Sequence, residues 1–109
     1  MPVSFIVTLN NQTIYTCNSQ PLPARLRRYL DEMDRHMENG VQLGDQRVDS
    51  PSDFQKQQYI AMYLIDALDK EDSDQVQTLS FYLSSRYESL TEIKVTQQDD
   101  LFNLKLITK

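Results

Sequence analysis

The chain opens with hydrophobic side chains at every second position, at Val3, Phe5, Val7 and Leu9. Such alternation is typical of a β-strand that buries one face. Asn10 and Asn11 follow, and asparagine tolerates a positive φ, so this pair predicts a two-residue turn. We therefore expect a second strand to run back along the first as far as about residue 17.

The register of this first hairpin predicts which side chains share a face. A two-residue turn pairs Val7 with Ile14 and places both side chains against the core. The same register gathers three apolar side chains on the outward face: Ile6, Tyr15 and Cys17. A fully solvated face usually carries fewer, so the pattern predicts a second contact surface there.

The middle of the chain carries hydrophobic side chains at helical spacing. The segment 22–40 has one apolar stripe, starts after two prolines and ends at an Asn-Gly pair, so it predicts a helix. A second helix is predicted over 53–70, where a Ser-Pro-Ser-Asp sequence supplies the start. A third begins at residue 72 or 73. The stretch 41–49 alternates weakly and predicts an extended connector or a short edge strand.

A second hairpin is predicted at the end of the chain. With a four-residue turn over 97–100, Val95 pairs with Phe102, and Glu92 faces Lys105 as an opposite charge. The order is then ββ–ααα–ββ. We expect one α+β domain over residues 1–109, with an antiparallel sheet of two hairpins covered by helices on one face.

Size and charge narrow the class of protein. The chain has 109 residues, a net charge of −5 and one cysteine, Cys17. An acidic surface disfavours direct contact with nucleic acid or anionic membranes, and no apolar run is long enough to cross a bilayer. A lone cysteine forms no internal disulfide, and the start lacks the pattern of a secretory signal. We expect a soluble cytoplasmic protein.

The charged clusters offer candidate chemistry. Arg25 and Arg28 belong to a basic group on the first predicted helix that could recognise a phosphate or an acidic partner. The alternative is that these arginines pair with acids four residues away, as Arg27 would with Asp31. The acids of 66–74 lack the glycine and glutamate of a calcium-binding loop, so calcium binding is not predicted. They could instead favour the start of a helix, or mimic the phosphates of a nucleic acid.

No catalytic, metal-binding or cofactor-binding residue is predicted. His36 is the only histidine and has Glu32 one turn before it, but a nucleophile pair or a metal site would need at least one further ligand or orienting group, which the sequence does not show. Cys17 is predicted to be a small apolar residue of a strand. With two glycines in the chain, a glycine-rich phosphate loop cannot be built.

The first twenty residues contain no charged side chain, and this feature leads the functional interpretation. A strand pair without charge on its edge needs a cover. We expect a non-enzymatic domain that binds another protein and self-associates into a homo-oligomer. The candidate partner-binding residues are Ile6, Tyr15, Cys17, Arg25 and Arg28. Two alternatives remain: an acidic inhibitor that mimics nucleic acid, and a small acidic chaperone of the secretion type.

Overall fold

Three helices and two sheets make up the fold, in a computed structural model that describes residues 2–109. The elements are β1 (Val3–Leu9), β2 (Gln12–Asn18), α1 (Ala24–Glu38), β3 (Val41–Leu43), β4 (Gln46–Val48), α2 (Asp53–Asp69), α3 (Ser73–Arg86), β5 (Leu90–Gln98) and β6 (Leu101–Thr108). The α+β class is confirmed. The connector between the first two helices is a short hairpin, β3–β4, which forms a sheet of its own.

The main sheet has the strand order β2-β1-β5-β6. Its two central strands, β1 and β5, run parallel, with Val7 opposite Ile93. The expected wholly antiparallel sheet is therefore wrong, and the sheet is mixed. The physical reason is the connection between the hairpins: three helices cross over one face and return the chain to the end of the sheet where it started.

The first hairpin departs from the expected register at one residue. Asn10 and Asn11 form the turn with φ values of 50° and 69°, as predicted. Beyond the turn, however, Val7 lies opposite Tyr15 instead of Ile14. A β-bulge inserts one residue here, and every later side chain of β2 changes face.

The bulge overturns the predicted outward face. Tyr15 and Cys17 lie on the core side of β2, and only Ile6 of the three points away from the helices. Ile14, expected in the core, is 47% exposed. The second apolar face predicted for this hairpin is therefore not formed.

The second hairpin has a tighter turn than expected. Gln98 pairs with Leu101, so Asp99 and Asp100 alone make the turn. Val95 consequently faces Leu104, and Glu92 faces Ile107 instead of Lys105. The predicted register is wrong by two residues. Because strand side chains alternate with a period of two, the shift leaves each residue on its expected face.

The hydrophobic core lies between the main sheet and the helices. Alternate side chains of the central strands join helix side chains in one cluster: Phe5, Val7, Leu30, Ile60, Leu64, Leu79, Tyr82, Leu83, Ile93 and Val95. The intervening strand positions are mostly polar, and there the Thr8 hydroxyl donates to the Glu92 carboxylate at 2.7 Å. The helices thus cover one face of the sheet, as the patterning predicts.

Two predicted helix starts are confirmed by side-chain caps. At α2 the Ser52 hydroxyl accepts from the Gln55 backbone N–H at 3.2 Å, while the Gln55 side chain accepts from the Ser52 N–H at 2.9 Å. At α3 the Asp72 carboxylate accepts from the Gln75 N–H at 3.3 Å. These bonds satisfy donors that a helix leaves without intrahelical partners.

Candidate partner-binding site

Strand β2 forms one edge of the main sheet. Its inner side pairs with β1, and within residues 2–109 no strand pairs with its outer side. Residues 12–18 carry no charge, whereas the opposite edge strand, β6, contains Lys105. Natural proteins commonly place charge or proline on an edge strand to prevent unwanted pairing. The outer side of β2 lacks that protection.

A groove of about 610 Å³ runs between the β2 edge and α3. The strand contributes residues 15–18 to its wall. The helix contributes Gln77, Ser80 and Ser84, which recur at the three- and four-residue spacing of one helix face. Because these side chains are short or flexible, they leave room beside the strand. Among residues 2–109, Glu71, at the turn before α3, is the one charged side chain that lines the groove.

Tyr15 joins the strand to the helix across this groove. Its hydroxyl and the Ser80 hydroxyl lie 2.8 Å apart and share a hydrogen bond. The Tyr15 ring also packs against Phe5, with the ring centroids 6.5 Å apart. Burial raises the pKa of the Tyr15 phenol above its usual value. The side chain therefore stays neutral at physiological pH and holds the strand at a fixed position relative to α3.

Cys17 lies at the base of the groove and is 7% exposed. Burial raises the pKa of its thiol, and the nearby hydroxyls of Ser84 and Ser80 oppose this rise to a smaller extent. Thiolates, and not thiols, act as nucleophiles. Cys17 is thus held in its protonated form at neutral pH and contributes an apolar surface to the groove.

The other sequence-predicted candidates lie away from the groove. Ile6 is half-buried on the opposite face of the sheet, beside Thr16 and Glu92. Arg25 and Arg28 are exposed on α1 and do not line the groove. The structure therefore brings together Tyr15 and Cys17 and separates them from the other three.

Within residues 2–109, the arginines of α1 form none of the ion pairs expected at a four-residue spacing, and Arg35 contacts Glu32, three residues before it, at 3.9 Å. Asp31 instead contacts Arg86 of α3, with 2.6 Å between its Oδ1 and the Arg86 Nη2. The same guanidinium reaches Asp34 at 3.3 Å through Nε. A guanidinium can bind two carboxylates at once in a fixed geometry, and here it joins the two helices.

The acids of 66–74 are distributed among structural roles. Asp66 pairs with Lys70 at 3.0 Å, and Asp72 caps α3, which confirms the helix-start interpretation of that residue. Glu71 occupies the turn between α2 and α3 with a φ of 57°. Within the described part of the chain, no three His, Cys, Asp or Glu side chains are grouped as a metal site would require.

Sequence reasoning missed the contribution of α3. Ser80 and Ser84 stand four residues apart in an otherwise apolar stretch, and this spacing was the available signal. It indicates a face of short polar side chains. It does not indicate that β2 lies opposite, because that depends on the strand order of the sheet.

No helix within residues 2–109 combines the length and hydrophobicity that a bilayer crossing requires. Comparisons of the chain with protein-family models, with curated proteins and with solved structures gave no match.

Proposed function

We propose that this protein is a non-enzymatic interaction domain that binds an extended segment of another protein along β2. The observation that carries the proposal is an uncharged outer strand edge with an open groove beside it. In this mode of recognition, main-chain hydrogen bonds supply affinity and alternate side chains of the ligand enter pockets beside the strand. The partner segment becomes the fifth strand of the sheet.

The groove defines what the segment must look like. The β-bulge at Ile14 twists the strand near the turn and makes pairing there unfavourable. Pairing is therefore confined to residues 15–18, beside α3. The groove surface includes Cys17, Val76 and Phe81, so it accepts small or apolar side chains. A segment rich in acids is disfavoured by Glu71.

The same edge is suited to self-association. Two copies of β2 can pair antiparallel about a two-fold axis, which gives an isologous interface and one continuous sheet of eight strands. No charged side chain of residues 12–18 opposes the contact. A homodimer of this kind forms when the partner segment is absent and competes with it when it is present.

A lysine placed on the edge tests this proposal. Thr16→Lys adds a charge at an exposed position of β2, and Asn103→Lys is the matched control at an exposed position of β6. Light scattering across a range of concentrations should show a dimer for the wild type and for Asn103→Lys, and a monomer for Thr16→Lys. Peptides selected from an unbiased library should bind the first two proteins and not the third.

Two results would contradict the proposal. If the wild-type protein is monomeric at high micromolar concentration, self-association through β2 is contradicted. Selected peptides that bind Thr16→Lys as tightly as the wild type remove the β2 edge as the binding site. Backbone amide shifts centred on residues 15–18 on peptide addition would place the ligand on the edge directly.

The acidic-mimic alternative has less support. Mimicry of a phosphate run requires carboxylates that are available on one surface. Within the 66–74 cluster, Asp72 is bound to the α3 N-terminus and Asp66 contacts Lys70 at 3.0 Å. These acids serve the fold, so the strand edge carries the stronger argument.

A further inference from the structure

A second pocket lies where α1 meets α2 and α3, away from the β2 groove. Its volume is about 310 Å³. Three tyrosines, Tyr29, Tyr59 and Tyr63, line it. Two of its other lining residues, Met37 and Leu79, are each 2% exposed. The pocket thus combines aromatic side chains with an apolar, closed base.

The tyrosines come from two helices. Tyr59 and Tyr63 are one turn apart on α2, with ring centroids 4.9 Å apart and ring planes inclined at 67°. Tyr29 belongs to α1 and approaches the pocket from the other helix. Tyr29 and Tyr63 are 49% and 47% exposed. Large parts of both side chains are therefore accessible to a ligand.

The Tyr59 phenol in this pocket is held neutral. The Tyr59 hydroxyl donates to the Tyr63 hydroxyl at 3.3 Å. Burial, together with this neighbour, raises the pKa of Tyr59 to about 12. A neutral aromatic ring presents a negative face, and that face attracts cations.

One carboxylate, from Glu32 of α1, also lines the pocket. Its ion-pair partner is Arg35, at 3.9 Å, and both side chains are more than half exposed. Such an exposed pair is worth little, so an incoming cation can compete for the carboxylate. Arg47, whose charge acts on Tyr59, is engaged elsewhere: it donates to the Asn39 carbonyl at 2.9 Å and contacts Asp49 at 3.6 Å.

We propose that this pocket binds a quaternary ammonium group. The methyl groups of a trimethylammonium pack against aromatic rings and an apolar base, while its charge is attracted by the ring faces and by Glu32. The pocket also contains the polar side chains of Glu32, His36 and Gln75. The preference for a trimethylammonium over a primary ammonium therefore depends on the aromatic and apolar surface that the methyl groups contact. The group occurs in small molecules such as choline and in trimethylated lysine side chains, and both present the same chemistry.

Charge is the property to test first. The wild type is titrated with choline, with 3,3-dimethyl-1-butanol, its uncharged carbon analogue, and with a trimethyllysine peptide and its unmodified lysine form. Tyrosine ring NMR signals report binding. We expect choline to bind at least about tenfold more tightly than the neutral analogue, which corresponds to roughly 1.4 kcal/mol. The trimethylated peptide should likewise bind more tightly than the unmodified one.

The ring faces are tested by substitution. Tyr63→Leu should weaken choline binding by about fivefold or more, whereas Tyr63→Phe, which keeps the ring, should preserve it. Glu32→Gln should weaken binding severalfold. Phe54→Leu is the matched control, since Phe54 is an exposed aromatic residue of α2 that does not line the pocket, and it should bind like the wild type.

Several outcomes would overturn the inference. These are equal affinity for choline and its neutral analogue, unchanged binding by Tyr63→Leu, and no shift of the tyrosine signals with any of the cations. Tighter binding of the peptide than of choline identifies a protein side chain as the source of the group, and the reverse identifies a small molecule; both support the pocket chemistry. None of these results bears on the β2 edge, which the pocket does not include.

Discussion

At the scale of single residues, Tyr82 links the core to the polar contacts between helices. Its side chain is fully buried, yet its hydroxyl donates a hydrogen bond to the Asp34 carboxylate. The ring also packs against Tyr87, with 5.9 Å between centroids. Asp34 in turn contacts Arg86. One side chain therefore contributes apolar contact inside and a satisfied polar group at the boundary of the core.

The burial of the Tyr82 phenol predicts that the protein loses stability at alkaline pH. Burial raises the pKa of its phenol above the ordinary value of 10.0. A group whose pKa is raised in the folded state contributes stability that is complete below the unfolded pKa and is lost as the pH rises toward the folded one. Above about pH 10 we expect the free energy of unfolding to fall by about 1.4 kcal/mol per pH unit from this residue.

Urea denaturation between pH 8 and pH 11 measures this effect. Tyr82→Phe removes the titrating group. It should therefore reduce by one the number of protons released on unfolding in alkali, although the substitution itself lowers the free energy of unfolding at neutral pH. Tyr29→Phe is the control, because Tyr29 is 49% exposed. Parallel pH profiles for the wild type and Tyr82→Phe would show that this phenol does not drive the alkaline transition.

At the scale of elements, the helices depend on local signals that the sequence displays. The start of α2 is fixed by reciprocal hydrogen bonds between Ser52 and Gln55. The hairpin turn is fixed in the same local way: Asn10 and Asn11 adopt positive φ values, and the Asn10 carboxamide also accepts from the Gln97 backbone N–H at 2.9 Å. The last bond ties the first hairpin to β5.

The cap of α2 gives a second prediction. Ser52→Ala removes the side-chain acceptor for the Gln55 N–H, so we expect it to lower the free energy of unfolding by about 1 kcal/mol. Ser50→Ala is the matched control, since Ser50 lies outside the helix and is exposed. Thermal and urea denaturation, followed by circular dichroism, compare the two variants. An equal effect of both would argue against a stabilising capping box.

At the scale of the whole molecule, the parallel pair β1–β5 joins the two ends of the chain. β1 lies between β2 and β5 and contributes Phe5 and Val7, both 0% exposed, to the core. Residues 3–9 are therefore central to the fold although they lie near one end of the sequence. This position also accounts for the lack of charge in β1, which needs no protection as an edge strand.

Two phenylalanines test this arrangement. Phe5 is fully buried in β1, whereas Phe102 in β6 is 53% exposed. Phe5→Ala should lower the free energy of unfolding by about 3–5 kcal/mol. Phe102→Ala should cost less than about 1 kcal/mol, because it leaves no closed cavity. Urea denaturation measures both, and similar losses for the two variants would contradict the placement of β1 at the centre of the sheet.

The candidate site shows how far sequence reasoning reaches. The uncharged first hairpin directed attention to Tyr15 and Cys17, and the structure places both in the wall of the groove. Their face was predicted wrongly, because a bulge at Ile14 has no signature in the alternation of the strand. Arg25 and Arg28 were grouped with the hairpin on charge alone, and the fold places them elsewhere.

The sequence by itself determined the α+β class, the three helices, both hairpins and the faces of β1, β5 and β6. Each depends on interactions among residues a few positions apart: helix caps, turn residues, and the spacing of hydrophobic side chains that is typical of strands or of helices. Only the tertiary structure decided the parallel pairing of β1 with β5, the bulge in β2 and the groove against α3. These features depend on how distant segments pack together, because the lowest free energy of the whole core selects among strand orders and registers that local patterns allow equally.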